Sequence, residues 1–150
     1  MQAVDPHFAA RVAASFARQA AMRTLGATLE AVEPGHVVVA MAHRDELTQQ
    51  HGFLHAGMLA TALDSACGYA AFSLMPSEAA VLTIEFKINL LAPARGPRFR
   101  FDGQVVKPGR TISVVDGRAF ELDAGGNDPK LIATMSATVM TVTGRGGIRH

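Results

Sequence analysis

Tryptophan is missing from this chain of 150 residues, tyrosine and cysteine occur once each, and only 18% of the residues are charged. A single cysteine, Cys67, excludes an internal disulfide and suits a reducing compartment; its expected place is a small position in the core. Net charge is +1, and no run of Lys and Arg alternates with aromatics, so nothing marks a nucleic-acid surface. No apolar run reaches the roughly 18 residues a membrane helix needs. The start, Met1 to His7, lacks the basic-then-apolar layout of a secretory signal. These absences lead to the expectation of a cytoplasmic enzyme or binding protein. It should form one domain over 1–150, long enough to bury a core.

What is present is punctuation and periodicity. Asp5-Pro6 reads as a helix start, and Phe8, Val12, Phe16 and Ala20 recur every four residues, predicting an amphipathic helix over about 6–25 that ends near Gly26. Two short strands follow at about 27–33 and 36–42 around the turn Glu33-Pro34-Gly35-His36. A polar loop spans 43–54. An apolar helix is expected from about 56 to 74, stopped by Pro76. Its alanines, glycines and serines let other elements approach closely, and its one charge is Asp64, so it should be wrapped by a sheet. Val81 to Leu91 alternates, with Leu82, Ile84, Phe86, Ile88 and Leu90 on one face and Thr83, Glu85, Lys87 and Asn89 on the other, predicting a half-buried strand. Pro93 to Pro97 reads as the turn after it. Phe99, Phe101, Gly103 and Val105 alternate next, and strands near 111–122 and 131–142 complete an antiparallel meander. The Gly- and Arg-rich residues 143–150 should fray.

The stretch Gln49-Gln50-His51-Gly52-Phe53-Leu54-His55-Ala56-Gly57, running into Met58 and the apolar helix, concentrates chemical potential. A helix start collects unpaired backbone N–H groups that can hold an oxygen gaining negative charge. A lone aspartate inside an apolar helix is costly unless it has a partner or a task. Asp64 is therefore either a working carboxylate or a structural one bonded to Ser and Thr hydroxyls. His43, His51 and His55 lack the spacing of metal ligands, so no metal is expected. Ser65 next to Asp64 makes no triad, since helix neighbours point about 100° apart.

The order of elements, His55-Ala56-Gly57 with Asp64 nine residues after the histidine, and the strand Leu82-Thr83-Ile84-Glu85-Phe86-Lys87-Ile88-Asn89-Leu90-Leu91-Ala92-Pro93 together resemble the PaaI-like branch of hotdog acyl-CoA thioesterases. The resemblance covers roughly residues 25–142. It implies an α+β hotdog fold, a curved antiparallel sheet around a central helix, and hydrolysis of an acyl-CoA or aryl-acyl-CoA. By that resemblance the Ala56 N–H is the oxyanion donor and Asp64 the general base or nucleophile. His55 orients the thioester, Gln49 binds the attacking water, and Thr83 positions it; read from the residues alone, His55 could instead simply cap the helix or fill the loop. The family has His-Gly-Gly where this chain has His-Ala-Gly, and commonly asparagine where Gln49 stands. Gly57, Phe53, Met58 and Tyr69 are candidates to line the substrate pocket, while Lys107 and Arg110 either decorate a hairpin or meet the phosphates of coenzyme A.

Ala56 and Asp64 lie eight residues apart, roughly 12 Å along a helix. A short carboxylate does not cover that gap, so a shared reaction implies a second copy of the helix in a two-fold dimer. The expected partners are the acyl-CoA substrate and a second copy of the chain, as a dimer or dimer of dimers, with no nucleic acid, no membrane and no cofactor besides the substrate's coenzyme A. The competing readings are a non-catalytic acyl-CoA-binding protein and an enoyl-CoA hydratase. The latter's motif, Asp and His about five residues apart, is not found.

Overall fold

Alternating strands and one small-residue helix build the frame of this protein, whose computed structural model describes residues 1–148. Arg149 and His150, at the end of the tail expected to fray, lie outside the described residues. The strands are β1 (Thr28–Glu33), β2 (His36–Ala42), β3 (Ala80–Leu90), β4 (Arg98–Lys107), β5 (Ile112–Leu122) and β6 (Lys130–Val142). They form one sheet in the order β1-β2-β4-β5-β6-β3, antiparallel throughout. The expected alternation holds in β4, where Phe99, Phe101, Gly103 and Val105 are buried and their neighbours are not, and β4-β5-β6 is the expected meander.

The segment Pro93 to Pro97 is not a hairpin turn. β3 pairs with β6 at the far edge of the sheet, so the chain crosses from that edge to reach β4 beside β2. Two bonds pin the crossing to the loop before the central helix: Leu54 N–H donates to the Ala94 carbonyl and His43 N–H to the Pro97 carbonyl, both at 2.9 Å.

The expected apolar helix is α3 (Ala56–Phe72), counting in chain order after the two N-terminal helices α1 (Phe8–Arg18) and α2 (Ala20–Leu25). It ends before Pro76 because Ser73 caps it: the Ser73 hydroxyl donates to the Ala70 carbonyl and accepts from Gly35 N–H. β2 through β6 all contact α3, and small residues on both sides make this possible. A Cβ on Gly103 would fall 2.4 Å from the Ala66 carbonyl carbon and oxygen, so α3 lies directly on the backbone of β4. Cys67 is buried there, its thiol pushed up by burial first and then by the Asp64 and Asp116 charges, which makes it an unreactive core residue.

The N-terminal helix expected over about 6–25 is broken in two at Gln19, whose backbone is extended (φ −73°, ψ 103°). Gln19 N–H bonds the Phe16 carbonyl, and its own carbonyl receives Met22 N–H. Val12 and Phe16 are buried as the stripe predicts, but Ala20, after the break, is exposed. Asp5 is not the residue flanking the helix, which starts at Phe8; its carboxylate accepts from His7 N–H and from Arg11. Arg11 was not singled out by periodicity, yet it joins the ends of two helices. It donates to the Phe72 and Met75 carbonyls at 3.2 and 2.7 Å and stacks over the Phe72 ring. A cation is favoured at such a C-terminus, where carbonyls lack intrahelical partners.

β3 departs most from expectation. Thr83 pairs with Val139 but Glu85 pairs with Thr138, so Ile84 is an extra residue in a bulge. Because the side-chain period is two, the bulge reverses the faces beyond it. Thr83 lies beside buried Val139, and Phe86, Ile88 and Leu90 lie beside buried Ala137, Met135 and Ala133. Thr83 therefore shares the helix side with Phe86, while Leu82 shares the outer side with Glu85 and Lys87. The strand is also less covered than predicted: Leu82, Ile84, Phe86 and Leu90 are 41–55% exposed.

Candidate active site

The start of α3 is set by the loop that precedes it. Gly52, at φ 78°, closes the turn by donating to the Gln49 carbonyl, and Gln49 N–H bonds the Phe53 carbonyl. His55 N–H then bonds the Leu47 carbonyl, which holds the next residue at the head of the helix. His55 is the cap: its Nδ1 accepts from Gly57 N–H at 2.9 Å, and its carbonyl receives the N–H groups of Met58 and Leu59. Ala56 N–H has no partner among the described residues. It is the free donor at the positive end of a 17-residue helix.

Two turns on, Asp64 lies in a hollow of about 470 Å³ with Gln19, Ser65, Tyr69, Thr83 and Ile148 on its walls. The Thr83 hydroxyl donates to Asp64 Oδ1 at 2.8 Å. Burial raises the Asp64 carboxyl above the ordinary 3.8, and the Thr83 bond opposes that rise. Tyr69 shares a hydrogen bond with Ser15 at 3.1 Å, and the Ser65 hydroxyl donates to Gln19 Oε1 at 3.4 Å. Gln19 was missed in the sequence because only the helix break turns an ordinary amphipathic-helix residue toward this hollow.

The other expected residues gather elsewhere. A second hollow, of about 400 Å³, is lined by Gln49, Phe53, Ala56, Leu59, Leu90 and Pro93 among others. Gln49 Oε1 accepts from His51 N–H within the loop, leaving its amide NH₂ as the free function. Gly57 is exposed with its N–H engaged by His55, and Met58 packs half-buried against the core and lines neither hollow. Lys107 and Arg110 are exposed at the β4–β5 connection; Arg110 borders a separate depression with Thr111 and Met140. The structure thus pairs Asp64 with Thr83 and Ala56 with Gln49, but keeps the two pairs in different hollows of one chain.

Each half has one chemical ability. A carboxylate whose ionisation is made harder by burial is a better proton acceptor than a solvated one. A fixed, unpaired N–H at a helix start stabilises an oxygen that gains charge during reaction.

A sequence profile of the Thioesterase superfamily matches residues 51–125, half of the chain, from the loop before α3 through β5. This chain belongs to that superfamily. A solved structure of a thioesterase family protein from Silicibacter pomeroyi is 55% identical, with a TM-score of 0.88 over 91% of this chain and 99% of that one. The E. coli PaaI protein from the phenylacetic acid degradation operon superposes with a TM-score of 0.80 over 91% of this chain and 94% of its own; at 21% identity that likeness is one of fold. A curated relative from Saccharolobus solfataricus, a candidate esterase, is 35% identical over 85 residues, 57% of this chain and 60% of that protein. The aligned stretch is thus less than two thirds of that relative. The sheet around α3 is the hotdog arrangement that the sequence resemblance implied. No helix among the described residues is long and apolar enough to cross a membrane.

Proposed function

We propose that this protein hydrolyses an acyl-CoA or aryl-acyl-CoA thioester to the free acid and coenzyme A, in sites shared by two copies of the chain. The observation that carries the reading is the division of the machinery: a free Ala56 N–H and a proton-accepting Asp64, roughly 12 Å apart along one helix, each open to its own hollow. The exposed apolar residues of β3, at the sheet edge beside α3, support a second copy as the cover that brings one chain's Asp64 to the other's Ala56. In that assembly Asp64 of one chain takes a proton from water as the water oxygen adds to the thioester carbon, or attacks that carbon itself to form an anhydride that water hydrolyses to the free acid after the thiolate has left. Ala56 N–H of the other chain holds the oxyanion. The C–S bond then breaks, and the thiolate leaves and takes up a proton.

The test is thiol release from short, medium, long and aromatic acyl-CoAs, repeated with Asp64→Asn. That variant keeps a group able to accept from Thr83 but removes the base or nucleophile. The expected loss is roughly a hundredfold or more in kcat with KM little changed. If the variant retains more than about a third of wild-type kcat, Asp64 is structural.

A further inference from the structure

We propose that Arg95 binds a phosphate group of the substrate's carrier, and so selects phosphorylated thioesters over unphosphorylated ones. This inference rests on the thioesterase reading above. Its basis is how the Arg95 guanidinium is held. It stacks over the Phe53 ring at 4.4 Å from the centroid, and Phe53 is a wall of the hollow that holds the Ala56 N–H. Pro93 and Ala94, the two residues before Arg95, line the same hollow.

The segment carrying Arg95 is tied down on both sides. Arg95 N–H donates to Glu121 Oε2 at 2.8 Å, Ala94 receives Leu54 N–H, and Pro97 receives His43 N–H. Gly96 packs so closely on Glu121 that a Cβ would fall 2.4 Å from its Cγ. The carboxylate that touches this segment therefore engages the backbone, and the guanidinium makes no ion pair among the described residues. Arg98, also exposed and unpaired among them, adds positive charge nearby. An arginine stacked on an aromatic face keeps its fork of N–H donors free while its orientation is set. Such a fork matches the oxygens of a phosphate, and prior ordering lowers the cost of binding one. Lys107 and Arg110, the alternatives suggested by sequence, line neither hollow.

The carrier phosphate has two possible sources: the one that ends the pantetheine arm, or those of the nucleotide in coenzyme A. Three thioesters of one acyl group separate them: acyl-CoA, acyl-4′-phosphopantetheine and acyl-pantetheine. Arg95→Ala should raise KM for acyl-CoA tenfold or more, leave kcat within about twofold, and leave acyl-pantetheine hydrolysis unchanged. Arg95→Lys should fall between, because it keeps the charge and loses the fork. If acyl-4′-phosphopantetheine shifts as acyl-CoA does, the pantetheine phosphate is the one bound; if only acyl-CoA shifts, it is a nucleotide phosphate. Equal effects on all three substrates, or none on any, would overturn the proposal. Calorimetric binding of coenzyme A and of pantetheine needs no turnover and separates this inference from the hydrolase reading. Arg95→Ala should weaken coenzyme A about tenfold and pantetheine not at all. A wild-type protein that binds both equally well refutes the phosphate site, whether or not it hydrolyses thioesters.

Discussion

Mixing two inactive variants tests whether the site is shared. Ala56→Pro removes the free N–H with little harm to the helix. Ala56 is the first residue of α3, its N–H has no partner to lose among the described residues, and His55 before it already has the extended backbone (φ −63°, ψ 134°) that proline requires of its predecessor. The expected loss is roughly a hundredfold or more in kcat. Asp64→Ala should be as inactive. Eight residues at 1.5 Å each put the two groups about 12 Å apart on one helix, too far for a side chain with a single methylene. If each site takes its amide from one chain and its aspartate from the other, a mixed dimer holds one doubly damaged site and one intact site. Half of randomly assembled dimers are mixed, so activity should return to roughly a quarter of wild type. The assay is thiol release from the co-refolded mixture of differently tagged chains; purification through both tags, which leaves only mixed dimers, should raise the recovery to roughly half. Background activity in a preparation shown to contain mixed dimers would refute the shared site.

The raised Asp64 carboxyl makes two linked pH predictions. In the proposed mechanism the ionised form acts, so kcat/KM should fall in acid with a midpoint above 3.8, and Thr83→Val, which removes the bond that favours ionisation, should move the midpoint higher; a midpoint that stays put under that substitution would disconnect Thr83 from Asp64. Because the folded protein holds this proton more tightly than the unfolded chain, stability should decline as pH rises from 3.8 through the folded value. Asp64→Asn should accordingly stabilise the protein at neutral pH, with the gain vanishing below 3.8, as read by urea unfolding at several pH values. Gly103→Ala should destabilise by about 2–4 kcal/mol, since its methyl would overlap the backbone of α3 at Ala66. A loss under about 0.5 kcal/mol in urea melts would show that helix and strand separate easily there.

Much of this frame is legible in the residue order. Phe99, Phe101, Gly103 and Val105 alternate because β4 has one face on α3 and the other away from it. The small residues of α3 announce close approach, and His55-Ala56-Gly57 marks its start. Other features carry no local signal. Ile84 continues an apolar alternation, and only its pairing with β6 makes it a bulge that swings Thr83 to the Asp64 side. Gln19 fits a helix as well as its neighbours do, and the break there shows only in the folded backbone. The exposed apolar side chains of β3 follow from the strand's place at the sheet edge, which its own pattern does not record.

Spacing along the chain therefore carries the alternation of β4, the start of α3, and the eight-residue gap that separates Ala56 from Asp64. These rest on local geometry, 3.6 residues per helical turn and two per strand repeat. Which groups meet is a property of the folded chain: Thr83 with Asp64, Arg11 with the end of α3, Arg95 with Phe53. Each of those pairings joins residues far apart in the chain, or on separate elements, and is set by sheet order, register and packing rather than by either residue's neighbours in sequence.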